Sequence, residues 1–222
     1  MRSADPLLAG LGEQARRLQP RTVSLRRALH RHPELGLTLP RTRDAVVAEL
    51  ADLPLQVHHG RATTSLVAVL EGARAGSTVL LRADMDALPL QEDAGLPFRS
   101  EVDGAMHACG HDMHVAMLAT AARLLAGRRE QLAGRVVLMF PPGEEGCHGA
   151  RVMIDEGLLD RHGPGGRPVA AYALHVSATL PAGELHTRAG PLMAAAVTRP
   201  RRTTRSTRYR RRRRWWGRCR RP

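Results

Sequence analysis

The sequence predicts an α/β domain whose central strands are covered on both faces. Three observations predict it. Short apolar runs bounded by glycine or polar residues recur along the chain, segments with apolar residues at helical spacing stand between them, and acids or a histidine follow three of the runs. Open α/β sheets place their ligands just past the C-terminal ends of the strands, which is where those residues would lie.

Taken in order, Arg16 to His32 reads as a helix, with Leu18, Val23, Leu25, Ala28 and Leu29 on its apolar side and Pro33 as its break. A second helix follows Pro40, where Thr42 is a candidate cap and Ala45, Val46, Val47 and Leu50 face inward. SLVAVLEG at 65–72 and STVLLRADM at 77–85 read as strands. His107 to His114, HACGHDMH, reads as a loop that turns into a helix at about His111 or Asp112; Val115, Leu118, Ala122 and Leu125 recur along it and Gly127 stops it. RVVLMFPP at 135–142 is a further strand, ARVMIDEGLLD a helix, and PVAAYALHV at 168–176 a last strand.

Composition narrows the class. The chain of 222 residues can bury one substantial core, or one domain and part of another. It is 43% hydrophobic but only 3% aromatic, and all 34 of its basic residues are arginine, a bias expected of a GC-rich genome. No run reaches the eighteen or so apolar residues of a membrane span, and MRSADPLLAG lacks the layout of a secretory signal, so a cytoplasmic location is expected. Cysteines at 109, 147 and 219 make no disulfide framework and fit a reducing compartment.

The formal charge of +13 is concentrated at one end. Residues 197–222 hold thirteen arginines and no acid, which leaves the body with 21 basic against 21 acidic groups. Two readings compete for this tail: a basic arm that binds nucleic acid or a membrane surface, or an out-of-frame terminus unrelated to the rest.

The loop at 107–114 is the chemical centre. Imidazole, thiolate and carboxylate are ligands that Zn²⁺ and its neighbours prefer. Cys109 and His111 would diverge on a helix but can meet one ion from an irregular loop, and a helix N-terminus favours the thiolate that binds metal. Asp84 and Asp86 end one strand, Glu144 and Glu145 another, and His175 a third. Each alone reads as a turn or core residue; together with the loop they indicate a metal site. In a pair of adjacent acids, one carboxylate can bind an ion while its neighbour takes a proton from metal-held water. Cys147 is a possible ligand, though packing suits it better.

In this order, LRRALHRHPELG, LLRADMDALPLQE, MHACGHDMHVAMLATAARLL, FPPGEEGCHGARVMIDEGLLD and YALHV resemble the metal-dependent amidohydrolases of the aminoacylase and carboxypeptidase group of metallopeptidases. That group includes hippurate hydrolase, N-acyl-amino-acid amidohydrolase and the plant hydrolases of indole-acetic acid conjugates. The likeness covers about residues 20–196, and HACGHD followed by EEG is its most specific part.

The resemblance implies a three-layer, zinc-peptidase-like catalytic domain with a mostly parallel central sheet, two divalent metal ions (Zn²⁺, Mn²⁺ or similar), and hydrolysis of the amide bond of small N-acyl amino acids by metal-bound hydroxide. It implies Cys109 as a bridging thiolate, His111 and Glu145 as ligands of one metal, His175 as a ligand of the other, and Glu144 as the general base. Asp84 stands where relatives carry a metal-binding histidine, which leaves Asp86 behind the ligands at most. His114 matches a family position or is simply a residue of the helix surface; His30 and His32 are expected to be structural.

The resemblance also exposes departures. Relatives continue into a lid domain that pairs two subunits and lends a histidine, then return with a final histidine ligand. Neither follows here, so residues 1–196 are expected to be the N-terminal part of an incomplete catalytic domain and 197–222 an Arg-rich frameshift product. An exposed apolar sheet edge, one weakly held metal and little or no activity are then expected. If the tail is genuine, the alternative partner is nucleic acid, contacted from Arg199 to Arg221 with Trp215 and Trp216 as stacking surfaces.

Overall fold

A computed structural model describes residues 8–158 and 167–190. Expectations that rest on the tail, including its nucleic-acid contacts and the boundary at 196, fall outside the described residues.

Helix α1 (Leu11–Arg31) starts five residues before the expected Arg16 and runs through Pro20. α2 (Pro40–Leu50) begins at its proline, as expected, but Thr42 does not cap it. The carboxylate of Glu34 does so from outside the helix. Its Oε1 accepts from the Arg41 backbone N–H at 3.2 Å, and its Oε2 accepts from the Thr42 N–H at 2.8 Å and the Thr42 hydroxyl at 2.9 Å. A carboxylate at a helix N-terminus satisfies orphan donors and meets the positive end of the dipole.

Five strands follow in one sheet: β1 (Gln56–His59), β2 (Leu66–Glu71), β3 (Arg74–Arg82), β4 (Ala133–Phe140) and β5 (Ala170–Ala173), in the spatial order β1-β2-β4-β3-β5. β1 was not expected from the sequence. β3 pairs parallel with both β4 and β5, whereas β2 pairs antiparallel with β1 and β4. The sheet is therefore mixed, and parallel only in the half that carries the metal-site candidates. Among the described residues the other α-helices are α3 (His111–Ala126) and α4 (Gly149–Asp155).

Successive side chains of the central strands are buried in two separate clusters, one on each face of the sheet, which defines three layers. Leu66 and Ala68 of β2 and Leu138 and Phe140 of β4 pack with Leu29 of α1, Val46 of α2 and Val115 of α3. Val67 and Val69, with Val137 and Met139, point the other way and pack with Met153 of α4 and Leu158. Strands buried on both faces appear in sequence as continuous apolar runs, and β2 and β4 do. Among the described strands β5 lies at one edge of the sheet, and Val169, Tyr172 and Leu174 around it are exposed. Residues from Ser177 belong to a second unit, described to residue 190, in which Ser177 contacts Thr179 and His186 contacts Glu184. Among the described residues no helix is long and apolar enough to cross a membrane.

Glu34 also acts through its backbone. Its carbonyl accepts from the Ala87 N–H at 2.8 Å, beside a bridge between Leu35 and Ala87, so the cap of α2 and the start of the segment after β3 share one anchor. Glu34→Ala is expected to cost about 1–2 kcal/mol, the usual value of a lost N-terminal cap, read as a lowered midpoint in thermal or urea unfolding.

Candidate metal centre

The parallel strands β3, β4 and β5 end at one edge, and the chain leaves each of them carrying candidate ligands: Asp84 and Asp86 after β3, Glu144 and Glu145 after β4, and His175 after β5. The fourth contribution comes from the start of α3. Gly110 precedes the helix with φ 82°, a left-handed conformation that suits glycine, and a side chain there would strike Val176. The bend at Gly110 lets Cys109 and His111 meet instead of diverging.

His111 is 1% exposed. Its Nδ1–H donates to the backbone carbonyl of Asp86 at 2.8 Å, and its Nε2 is buried with no hydrogen-bond partner among the described residues. An imidazole fixed through one nitrogen by a carbonyl, with the other left bare, has the arrangement of a metal-binding histidine. Burial opposes a charge on this ring, yet the Asp86 carboxylate, 3.6 Å from Nδ1, and the Cys109 sulfur outweigh it and push the pKa up to about 11. The Asp86 carboxylate and the Cys109 sulfur thus favour positive charge at this ring.

Three sets of donors meet there, each with its ligand atoms within 4.8 Å of one another: Cys109 with His111 and His175, His111 with Glu144 and Glu145, and Asp84 with His111 and His114. His111 belongs to all three. All five residues expected from the sequence, Cys109, His111, Glu144, Glu145 and His175, fall within the first two sets, although no set joins Glu145 to His175.

The remaining contacts sort these groups. The Nδ1–H of His175 donates to the Val176 carbonyl at 2.6 Å, which turns its Nε2 toward the Cys109 sulfur, 3.3 Å away. His114 is different. Its Nε2 accepts from the Val176 N–H at 3.1 Å, so that lone pair is committed to the backbone, and burial lowers its pKa to about 4, consistent with a neutral acceptor. One oxygen of Asp84 is held by Arg82, at 2.7 Å from Nε and 2.6 Å from the terminal nitrogen. Glu144 is exposed at the rim, and partial burial together with the charges of Asp84 and Glu145 raises its pKa. Cys147 lies against Gly36 and Gly143, outside the three sets.

Asp86 has a larger part than the sequence suggested. It is 1% exposed, and its two oxygens accept the backbone N–H groups of Glu144 and Glu145, each at 2.9 Å. One residue therefore holds His111 through its carbonyl and the glutamate pair through its carboxylate. The family resemblance suggested a place behind the ligands; the backbone partners were not legible.

The sequence profile of peptidase family M20/M25/M40 matches residues 80–215. Among curated proteins, the chain is 38% identical over 176 residues to an N-acetylcysteine deacetylase of Bacillus subtilis, covering 79% of this chain and 45% of that protein. It is 41% identical over 174 residues to IAA-amino acid hydrolase ILR1-like 5 of Arabidopsis thaliana, covering 78% of this chain and 38% of that one. The chain spans about half the length, or less, of the curated relatives it matches. Among solved structures, the Bacillus subtilis YXEP protein, described as a dinuclear metal binding peptidase from the M20 family, superposes with a TM-score of 0.69 at 36% identity over 75% of this chain and 45% of its own.

Asp86→Asn keeps the side chain's volume but replaces one charged acceptor with an amide that faces a backbone N–H. A loss of about 1.5–3 kcal/mol is expected, the range for hydrogen bonds to a charged group, and urea denaturation of the variant beside the parent chain measures it.

Proposed function

The chain belongs to peptidase family M20/M25/M40, and from that premise we propose that its site binds two divalent metal ions, Zn²⁺, Mn²⁺ or a similar ion, and hydrolyses the amide bond of N-acyl amino acids. The observation that carries the reading is the bare, buried Nε2 of His111 among sulfur, imidazole and carboxylate donors. The relatives' names support it, since one removes acetyl from N-acetylcysteine, another acts on an acyl amino acid conjugate, and a solved neighbour is dinuclear.

In this reading Cys109, His111, Glu145 and His175 would hold the two ions, His111 and Glu145 on one side of the thiolate and His175 on the other. A soft thiolate with imidazole and carboxylate suits Zn²⁺ and similar ions. Bound there, the metals would supply Lewis-acid polarisation of the amide carbonyl and activation of water.

The chain's own groups supply the rest. Glu144 stands at the open side, and its raised pKa makes its carboxylate a better proton acceptor than an ordinary surface glutamate. It takes the proton of water as the water oxygen bonds to the carbonyl carbon. It then returns that proton to the amine nitrogen as the C–N bond breaks, leaving a carboxylic acid and a free amino acid. Asp86 holds Glu144 and Glu145 in fixed register, so that the base and its ligand neighbour keep separate tasks.

Metal content tests the reading most directly. Two equivalents of Zn²⁺ or Co²⁺ per chain are expected in titration with metal in excess, one of them held more weakly, with fewer in Cys109→Ser and His111→Ala and an unchanged count in Glu144→Gln. Absence of tight metal in the parent chain, or a His111→Ala variant that binds like the parent, would sink the proposal. Turnover of N-acetyl and N-benzoyl amino acids is the matching activity assay. Any turnover should fall by about 10²–10⁴ in Glu144→Gln, the usual contribution of a general base.

A further inference from the structure

Four charged or ionisable side chains from three parts of the chain meet close behind the metal-binding turn. Arg26 and His30 come from α1, Glu92 from the segment between β3 and α3, and Asp112 from the first turn of α3. His30 is 3% exposed, Glu92 4% and Asp112 fully buried. The His30 ring lies between two carboxylates, with Nδ1 2.7 Å from Asp112 Oδ2 and Nε2 3.2 Å from Glu92 Oε1, and a terminal nitrogen of Arg26 stands 3.2 Å from the same Nδ1. The Asp112 hydrogen bond is the chief cause that raises its pKa, and with Glu92 it overcomes burial. Arg26 Nε lies 2.7 Å from the same Asp112 oxygen. The second oxygen of Glu92 accepts the Ser100 N–H at 2.6 Å, while Phe98 meets the His30 ring edge-on with the Arg26 and Arg27 guanidinium groups 4.8 Å from its ring centre.

A buried assembly of this kind is a poor way to gain stability. Removing several charges from water costs about as much as their attraction returns, and apolar side chains of similar volume often do as well. What it supplies is fixed relative position, and its location says of what. Asp112 directly follows His111, and Glu92 sits in the segment that leaves the sheet at Asp86 and returns at Cys109. The helix start, the middle of that segment and α1 are thus joined through one ring.

We propose that His30 is a positioning residue for the metal centre, which acts through Asp112 and Glu92 to set the Cys109–His111 turn against Asp86. The inference rests on the metal reading above, and it assigns to HRHPELG a part that the ligand set does not. Groups one step removed from metal ligands commonly change metal affinity by 10–100-fold when altered.

The test is titration of the full chain with Co²⁺, followed by the thiolate-to-metal absorption band that reports the geometry at Cys109, with circular dichroism as the measure of folding. In folded His30→Leu, the Co²⁺ dissociation constant should rise by about tenfold or more and the band should change in position or intensity. His30→Gln, which keeps one donor for Asp112, should fall between that variant and the parent. Glu92→Gln alters the far side of the ring, with the amide oxygen left to accept the Ser100 N–H, and should weaken binding by roughly threefold or more, a fraction of the same effect.

A melting temperature that drops while affinity and band stay at parental values would show a purely structural staple and overturn the proposal. If the His30 variants do not fold, Glu92→Gln decides, and parental affinity in that variant overturns it. If the parent chain itself binds no Co²⁺, the metal reading fails and takes this inference with it; parental binding with indifferent variants defeats the inference alone.

Discussion

The site depends on the two-sided constraint at His111. One ring nitrogen is spent on the Asp86 carbonyl, the other is bare, and the ring is shut away from water. A polar atom buried without a partner costs free energy, and proteins tolerate it where something else will satisfy it. Each of the three donor sets contains this ring, so the position of α3 against β3 and β4 determines whether sulfur, imidazole and carboxylate can meet at all. The fold serves that meeting: parallel strands deliver acids and a histidine to one edge, and a left-handed glycine brings the helix start to the same place.

Much of this was readable from the sequence, and the failures have physical reasons. β2 and β4 showed as apolar runs because both of their faces are covered. Their relative direction did not show, since an antiparallel strand buried on both faces has the same composition as a parallel one. β1, with the sequence QVHH and only partial burial, carries too little apolar signal to separate it from a loop. Thr42 looked like a cap by type, but its hydroxyl donates to Glu34, a residue outside the helix whose approach depends on the turn at Pro33 and Gly36.

The site divides in the same way. Candidate metal ligands are legible because few residue types bind transition metals, and seven such residues stood together, five at three strand ends and two in one loop. The groups that support them are not. Asp86 works on backbone N–H groups 58 and 59 residues away, which have no residue type to recognise. His30 meets Asp112 across 82 positions, and nothing in HRHPELG alone distinguishes a histidine held between two carboxylates from an ordinary core histidine.

The contacts of Asp86 constrain how charge can be handled at the edge of β4. Two consecutive N–H groups in a turn form a small concave anion receptor, of the kind other proteins use for phosphates or for the oxygen of a tetrahedral intermediate. Here the receptor is filled from within, since both N–H groups already face the Asp86 carboxylate. The turn therefore has no backbone donors from Glu144 or Glu145 to offer a reacting oxygen. Stabilising that oxygen falls to cations or to donors on other elements, and the rim keeps its negative character. A substrate approaching this side presents its electrophilic carbon to a carboxylate wall, and its own carboxylate, if it has one, must be received elsewhere.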